Sequence, residues 1–436
     1  MSHYQEDHQT PKNSKSKIFI WTLFDFANTS YSIVVVTFIF AVYFKEVISL
    51  AKPVGDLYWS IGISVSMIIT AIISPVLGAI ADFSAGKKRF LLFFTLLSIS
   101  ATALLFFIGE GMIFWGLILF IAANIGFEAG LVFYDAFLPE ITTAKNYGRV
   151  SGYGFAMGYL GSLVILAICL PFIKAEMIRE TFPLSAGFFL LFSLPLFFWL
   201  KDSRKNRKQE ESYIKIGFNR VAYTLKHLKN YKNLALFLAS FFLYIEGVNT
   251  VIFFSGNYAR TTLKFSFEEL IIFFLIVQTT AILGSVVFGI IGDSIGQKKA
   301  ISISLFIWIF TVIFAFATST TDNFFVEKLS SIFNSQPKDI QRNSFYIVGL
   351  IAGSVMGATQ STSRSLMSKL TPIEKRTEFF GFYSFFGKSS AIVGPLAFGL
   401  VSFITESQSF AILTLIVFFI AGVWLLQYVK DPKLPA

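Results

Sequence analysis

The chain reads as an all-α membrane protein, with twelve transmembrane helices in two six-helix bundles related by a pseudo-two-fold repeat. Three observations predict this. Of its 436 residues 55% are hydrophobic and only 14% charged, with a mean hydropathy of +0.67; soluble domains carry roughly 25% charged residues. The apolar residues fall in blocks of about 20, the length that crosses a hydrocarbon core of roughly 30 Å. Short motifs of the first half recur, in the same order, in the second.

The blocks place spans at roughly 18–44, 57–80, 90–108, 112–138, 150–173 and 182–200, then at 233–255, 269–292, 300–318, 344–368, 378–403 and 409–428. The first 17 residues are polar, and the apolar run after them is too long and too polar-studded for a cleaved leader, so an uncleaved first span is expected. An even number of spans puts both termini on one side. With the termini inside, inner segments hold 25 Lys and Arg and outer segments 9, while Arg364 and Lys388 fall within spans. The positive-inside bias therefore predicts a multi-pass protein of the cell (inner) membrane with both termini cytoplasmic. The same bias accounts for the net charge of +10 without a nucleic-acid partner.

Residues 201–232 form the longest expected cytoplasmic connection, dividing an N-terminal bundle (1–200) from a C-terminal bundle (233–436). The connection opens on KDSRKNRKQEE, a solvated charge run. Ile214, Phe218, Val221, Leu225 and Leu228 then recur at helical spacing between Lys215, Arg220, Lys226 and Lys229, the pattern of a basic amphipathic helix on the inner leaflet. On the outer side, residues 319–343 form a long loop with a short helix expected at Phe324–Phe333.

Other chemistries find little support. Cys169 is the only cysteine, so no intrachain disulfide forms. His3, His8 and His227 lie far apart, with no metal-ligand spacing and no cofactor implied. H-E-x-x-H, G-x-S-x-G and P-loop patterns are absent, so no enzyme is expected. The 54 Phe read as lipid-facing and packing surface.

What needs explanation is polarity inside the spans. Asn124, Glu128 and Asp135 occur at spacings of four and seven and share one face of span four. A carboxylate in hydrocarbon costs roughly 2.5 kcal/mol or more, so this face calls for a lined cavity, a partner cation or a bound proton. Span one carries Asp25 and Asn28, span seven Glu246 and Asn249, span ten Gln360 and Arg364, and span eleven Ser384 and Lys388. In a transport pathway, Arg364 or Lys388 would bind a solute carboxylate, and Glu128 or Asp135 an ammonium group or a proton. The amides also suit plain helix ties, worth under about 1 kcal/mol each.

The repeat is read from three matches. D-x-x-N-T at Asp25, Asn28 and Thr29 returns as E-x-x-N-T at Glu246, Asn249 and Thr250, 221 residues on. GAIADFSAGKK (Gly78, Asp82, Lys87, Lys88) returns as GIIGDSIGQKK (Gly289, Asp293, Lys298, Lys299), 211 residues on. Gly152 and Gly158 return as Gly381 and Gly387 at an offset of 229, which also carries Asp135 onto Arg364. Both copies enter the membrane in the same orientation, as in parallel transporter repeats.

The doubled Gly–Asp–Lys–Lys loop resembles the signature loop of the major facilitator superfamily, although Asp82 to Gly86 is one residue longer than the usual spacing. More narrowly, WTLFDFANTSYSIVVVTFIFAVYF, ATQSTSRSLMSKLTP and EFFGFYSFFGKSSAIVGPLAFGLV resemble the vacuole-effluxer-like branch, related to fungal vacuolar amino-acid effluxers. Glu246 stands where that resemblance leads one to expect Asp. The likeness covers nearly the whole chain and implies a major facilitator fold with transport by alternating access, spans one, four, seven and ten lining the cavity. It also implies a cytoplasmic gate of Asp82, Lys87, Lys88, Arg89, Asp293, Lys298 and Lys299, in which each Asp accepts N–H groups at a facing helix N-terminus. The resulting expectation is a monomeric secondary transporter in the lipid bilayer, moving an amino acid or similar zwitterion and a candidate for proton coupling and efflux. Sugar or nucleoside transport, drug efflux and a non-transporting membrane receptor stay open as alternatives.

Overall fold

The apolar blocks fold as helix, because every backbone group left unpaired in hydrocarbon costs several kcal/mol and a helix pairs its own. The structure, a computed structural model, describes residues 14–52, 54–84, 86–202 and 212–432, and among these there is no strand. The first helix, α1 (Lys15–Tyr31), continues through a π-helical stretch (Ser32–Thr37) into α2 (Ile39–Tyr43). Next come α3 (Val54–Ser84), α4 (Lys87–Leu104), α5 (Ile113–Asp135), the short α6 (Leu138–Ile141), α7 (Tyr147–Lys174) and α8 (Thr181–Trp199). The linker helix α9 (Tyr213–Lys226) leads to α10 (Lys232–Thr261), α11 (Phe267–Ile295) and α12 (Gln297–Ala317). The short α13 (Phe324–Phe333), α14 (Pro337–Leu370), α15 (Arg376–Thr405), α16 (Gln408–Ile412) and α17 (Thr414–Gln427) complete the chain.

Among the described residues ten helical stretches are long and apolar enough to cross a membrane. The other two of the twelve expected spans fall on α14 and α15, 34 and 30 residues long, of which α14 is too polar to read as a span by hydropathy. The polarity of α14 is turned inward: Thr359, Ser361, Thr362, Ser363, Arg364 and Ser365 are all buried. Hydropathy misses such a helix because its polar groups meet protein, not lipid.

In the first half α1 packs on α7 and α8, and α5 on α3 and α4; in the second, α10 packs on α15 and α17, and α14 on α11 and α12. The halves meet where α3 lies on α15 and α7 lies on α11 and α14. The repeat equates α3 with α11 and α7 with α15, so the first two contacts are one contact made twice about the pseudo-axis. Both rest on glycine. A Cβ on Gly78 would lie 2.3 Å from the Thr377 carbonyl oxygen, and one on Gly148 2.3 Å from that of Gly289, so backbone meets backbone there. These crossings draw the halves together at the face that carries Lys87, Lys88, Lys298 and Lys299, here termed the basic face.

The opening charge run of the linker lies largely outside the described residues. Helix α9 lies against α3, with Ile216, Gly217 and Thr224 buried. The apolar stripe read from the sequence is turned the other way: Ile214, Phe218, Leu225 and Leu228 stay exposed. The helix α13 occupies the short stretch expected within loop 319–343.

Candidate functional site

Arg364 of α14 is 2% exposed and reaches from the second half into the first. Its Nε donates to Ser151 Oγ (3.0 Å), Nη1 to Asp25 Oδ2 (3.2 Å) and Asp135 Oδ1 (3.0 Å), and Nη2 to Asp25 Oδ2 (3.2 Å) and the Ser151 carbonyl (2.9 Å). A guanidinium has five N–H donors, and all five are used. The rings of Phe155 and Trp21 lie beside it, their centroids 4.1 and 4.7 Å from Cζ. Trp21 is held in turn by Tyr134: the indole Nε1 donates to the Tyr134 carbonyl at 3.2 Å, and the phenol donates to the Trp21 carbonyl at 3.0 Å. One second-half side chain thus binds α1, α5 and α7 together. With both carboxylates ionised, the cluster carries one negative charge in excess.

A second cross-half pair lies along the same stripe of α5. Lys388 of α15 forms an ion pair with Glu128, the side chains 23% and 8% exposed. Glu128 precedes Asp135 by two helical turns, about 10 Å along the axis. Tyr159 of α7 donates to Gln360 Oε1 of α14 at 2.6 Å, also across the halves. Four of the helices that join the two halves therefore present polar groups to one another between them.

In this state the charged groups expected to meet a solute are already engaged with one another. Arg364 has no donor left for a solute carboxylate in this state; it is a strut between halves. Glu128 and Lys388, expected to serve a solute separately, neutralise each other. The amides also divide. Asn124 donates to Ser66 Oγ at 2.7 Å and accepts from Tyr31 at 3.3 Å, so it ties α5 to α3 and α1 inside the first half. Asn249 donates to Ser390 Oγ at 3.1 Å inside the second. Glu246 accepts the Gly394 N–H, also inside the second half. Asn28 is buried, and among the described residues its amide nitrogen has no hydrogen-bond partner.

At the basic face the two loop aspartates each cap a helix of the opposite half. Asp82 Oδ1 and Oδ2 accept from the N–H groups of Thr377 (3.1 Å) and Glu378 (2.9 Å) in the first turn of α15. Asp293 accepts from the N–H groups of Gly148 (2.7 Å) and Arg149 (3.0 Å) in the first turn of α7, and from Arg149 Nε at 3.0 Å. A carboxylate there satisfies orphan donors and meets the positive end of the helix dipole.

The neighbouring lysines do not act as the expected cross-half partners. Lys87 binds Glu140 (2.6 Å), and Lys88 binds the Leu200 carbonyl (2.6 Å) while Asp202 accepts its backbone N–H (3.1 Å). Lys298 repeats this with the Gln427 carbonyl (2.7 Å) and Asp431 (3.1 Å). All of these contacts stay within one half, where Lys88 and Lys298 each fasten the end of the last helix of their own bundle. Arg89 and Lys299 are exposed. Sequence reasoning missed Asp202 and Asp431, although Lys201–Asp202 and Lys430–Asp431 stand at the 229-residue offset already seen elsewhere. It also missed Glu378, which accepts from Thr224 Oγ1 of α9 and so fastens the linker helix beside Asp82.

Loss of an N-cap carboxylate costs about 0.5–2 kcal/mol. Asp293→Ala is therefore expected to favour opening at the basic face by roughly tenfold. Maleimide labelling of Ser285→Cys, in a chain whose Cys169 is replaced by Ser, reads this; an unchanged labelling rate would remove Asp293 from the gate.

Known proteins similar to this chain identify its family and its fold. The family model described as "Vacuole effluxer Atg22 like" matches residues 58–433. The uncharacterized MFS-type transporter YxiO of Bacillus subtilis is 31% identical over 426 residues, 94% of each chain. Autophagy-related protein 22 of Kluyveromyces lactis is 24% identical over 368 residues, 78% of this chain and 72% of its own. Among solved structures, the proton:xylose symporter XylE superposes with a TM-score of 0.70 at 14% identity, over 95% of this chain and 96% of that one. The human organic anion transporter MFSD10 superposes at 0.71 and 13%, over 94% and 99%. The fold is the two-bundle fold of the major facilitator superfamily, and the protein is an integral multi-pass membrane transporter of small solutes. Within that superfamily the chain belongs to the Atg22-like vacuole effluxer family.

Proposed function

We propose that the chain carries an amino acid or similar zwitterion by alternating access, coupled to protons, as a monomer in the cell membrane with both termini cytoplasmic. The bundles are residues 1–200 and 233–436, joined by the linker 201–232. The observation that carries this reading is the ion pair between Glu128 and Lys388, which bridges the halves. A zwitterion offers the same two charges in the opposite sense: its carboxylate would replace Glu128 at Lys388, and its ammonium would replace Lys388 at Glu128. Gln360 and Tyr159 add a neutral acceptor and donor that meet across the same two halves. The excess carboxylate of the Asp25–Asp135–Arg364 cluster supports proton coupling, because one proton brings the cluster to neutrality. The state described here, held together at the basic face by Asp82 and Asp293, would then be closed toward the cytoplasm.

Counterflow in proteoliposomes, with pooled amino acids, sugars and nucleosides and with or without a pH gradient, tests the reading. Amino acids should exchange and respond to the gradient. Exchange of sugars, nucleosides or apolar drugs without amino acids would replace the cargo assignment, and no flux of any kind would favour a receptor.

A further inference from the structure

Glu246 of α10 is the repeat counterpart of Asp25, but its surroundings differ. Asp25 faces the Arg364 guanidinium. Glu246 is 0% exposed and, among the described residues, makes no ion pair. One carboxyl oxygen accepts the N–H of Gly394 of α15, and the other has no hydrogen-bond partner. Thr250, one turn on, is also 0% exposed, and its hydroxyl has no partner. The two groups converge: a Cβ on Gly394 would lie 2.1 Å from Thr250 Oγ1 and 2.5 Å from Glu246 Oε1. Asn249 and Ser390, already bonded to each other, border the same contact between α10 and α15.

Among the described residues the packed helices supply no ion-pair partner for Glu246. From α15 the groups at this level are Gly394 and Ser390, and Lys388 is engaged with Glu128. From α17 the neighbour is Phe419, which lies over Gly247. From α14 the contact is Ser363, which pairs with Tyr244 at 2.7 Å. An ionised carboxylate at such a place would carry a penalty of several kcal/mol, offset in part by the Gly394 N–H alone. A carboxyl oxygen and a hydroxyl are oxygen donors of the kind hard cations take, and a backbone carbonyl released from a helix ladder is another. Pro395, next to Gly394, has no N–H to give the ladder of α15.

We propose that Glu246, with Thr250 and the Gly394 turn of α15, forms a binding site for one monovalent cation, a proton or Na⁺, separate from the Arg364 cluster. The bound charge neutralises the carboxylate and ties α10 to α15. Since α15 also carries Lys388 and, at its first turn, the donors to Asp82, occupancy would set how readily that helix moves. This goes beyond the solute reading and needs no solute for its test.

The experiment uses the purified full chain in lipid nanodiscs, in choline chloride buffer with NaCl added or omitted. Thermal unfolding and infrared difference spectra of the carboxyl region are recorded across pH for the wild type, E246Q and T250V. For a Na⁺ site, NaCl raises the wild-type unfolding temperature, E246Q abolishes the rise, and T250V needs roughly tenfold more Na⁺. For a proton site, Na⁺ has no effect, a protonated-carboxyl band is present at neutral pH, and E246Q removes it. Should E246Q fail to fold, the T250V shift in Na⁺ or pH midpoint decides in its place. The proposal is overturned if the wild type shows neither signal, or if E246Q, or T250V where it decides, keeps the signal unchanged.

Discussion

Arg364→Gln is expected to abolish transport and to cost roughly 3–5 kcal/mol of stability, the usual result of removing one partner from a buried ion network. The substitution deletes all five donors at once and leaves Asp25 and Asp135 facing each other without a cation. Arg364→Lys restores the charge but not the fork. An ammonium has three donors from one nitrogen and cannot serve Asp25, Asp135 and Ser151 in one plane, so at least a tenfold loss of flux is expected. Asp135→Asn should behave differently. It leaves one carboxylate for one guanidinium, so stability should change by no more than about 1 kcal/mol, while response to a pH gradient is lost. Thermal unfolding of the three variants beside flux in liposomes makes the comparison. A stable, transporting Arg364→Gln protein would mean that the cluster is neither strut nor proton site.

How much of this was legible in the sequence depends on whether the information is local. Composition and the 20-residue blocks indicate a membrane bundle because hydrocarbon imposes itself on every span separately. The repeat was legible because each half keeps the residues its own packing needs: glycines where backbones touch, an Asp where a helix begins opposite. The offset that relates Asp135 to Arg364 turned out to join the two members of one ion pair. Equivalent positions close to a pseudo-two-fold axis face each other, so opposite charges at such positions are candidates for a pair. What the sequence withheld is non-local. The carbonyls that receive Lys88 and Lys298 lie 112 and 129 residues away, and no spacing rule connects them. Helical periodicity placed Asn124 on the stripe of Glu128, but a stripe that meets the second half at Glu128 meets α3 and α1 at Asn124. The saturation of Arg364 was also invisible, because a donor is spent or free only by virtue of its neighbours.

Glu128→Gln is expected to lower exchange of bound solute more than tenfold, about 1.4 kcal/mol or more in the barrier. The reason is that the amide still accepts a hydrogen bond but lacks the charge that would hold the solute ammonium, and Lys388 loses its counter-ion. Lys388→Gln should lose exchange as well, since the cation that would hold the solute carboxylate is gone. The double reversal, Glu128→Lys with Lys388→Glu, separates a strut from a site. A pair that only ties the halves works in either sense, so reversal would restore stability and transport together. A pair that a zwitterion displaces holds it in one orientation, set by which half carries the cation. Reversal should then restore the unfolding temperature to within the equivalent of about 1 kcal/mol, yet leave flux at the level of the single variants. Recovery of flux in the reversed protein would reduce the Glu128–Lys388 contact to a structural tie and move the solute site elsewhere between the halves.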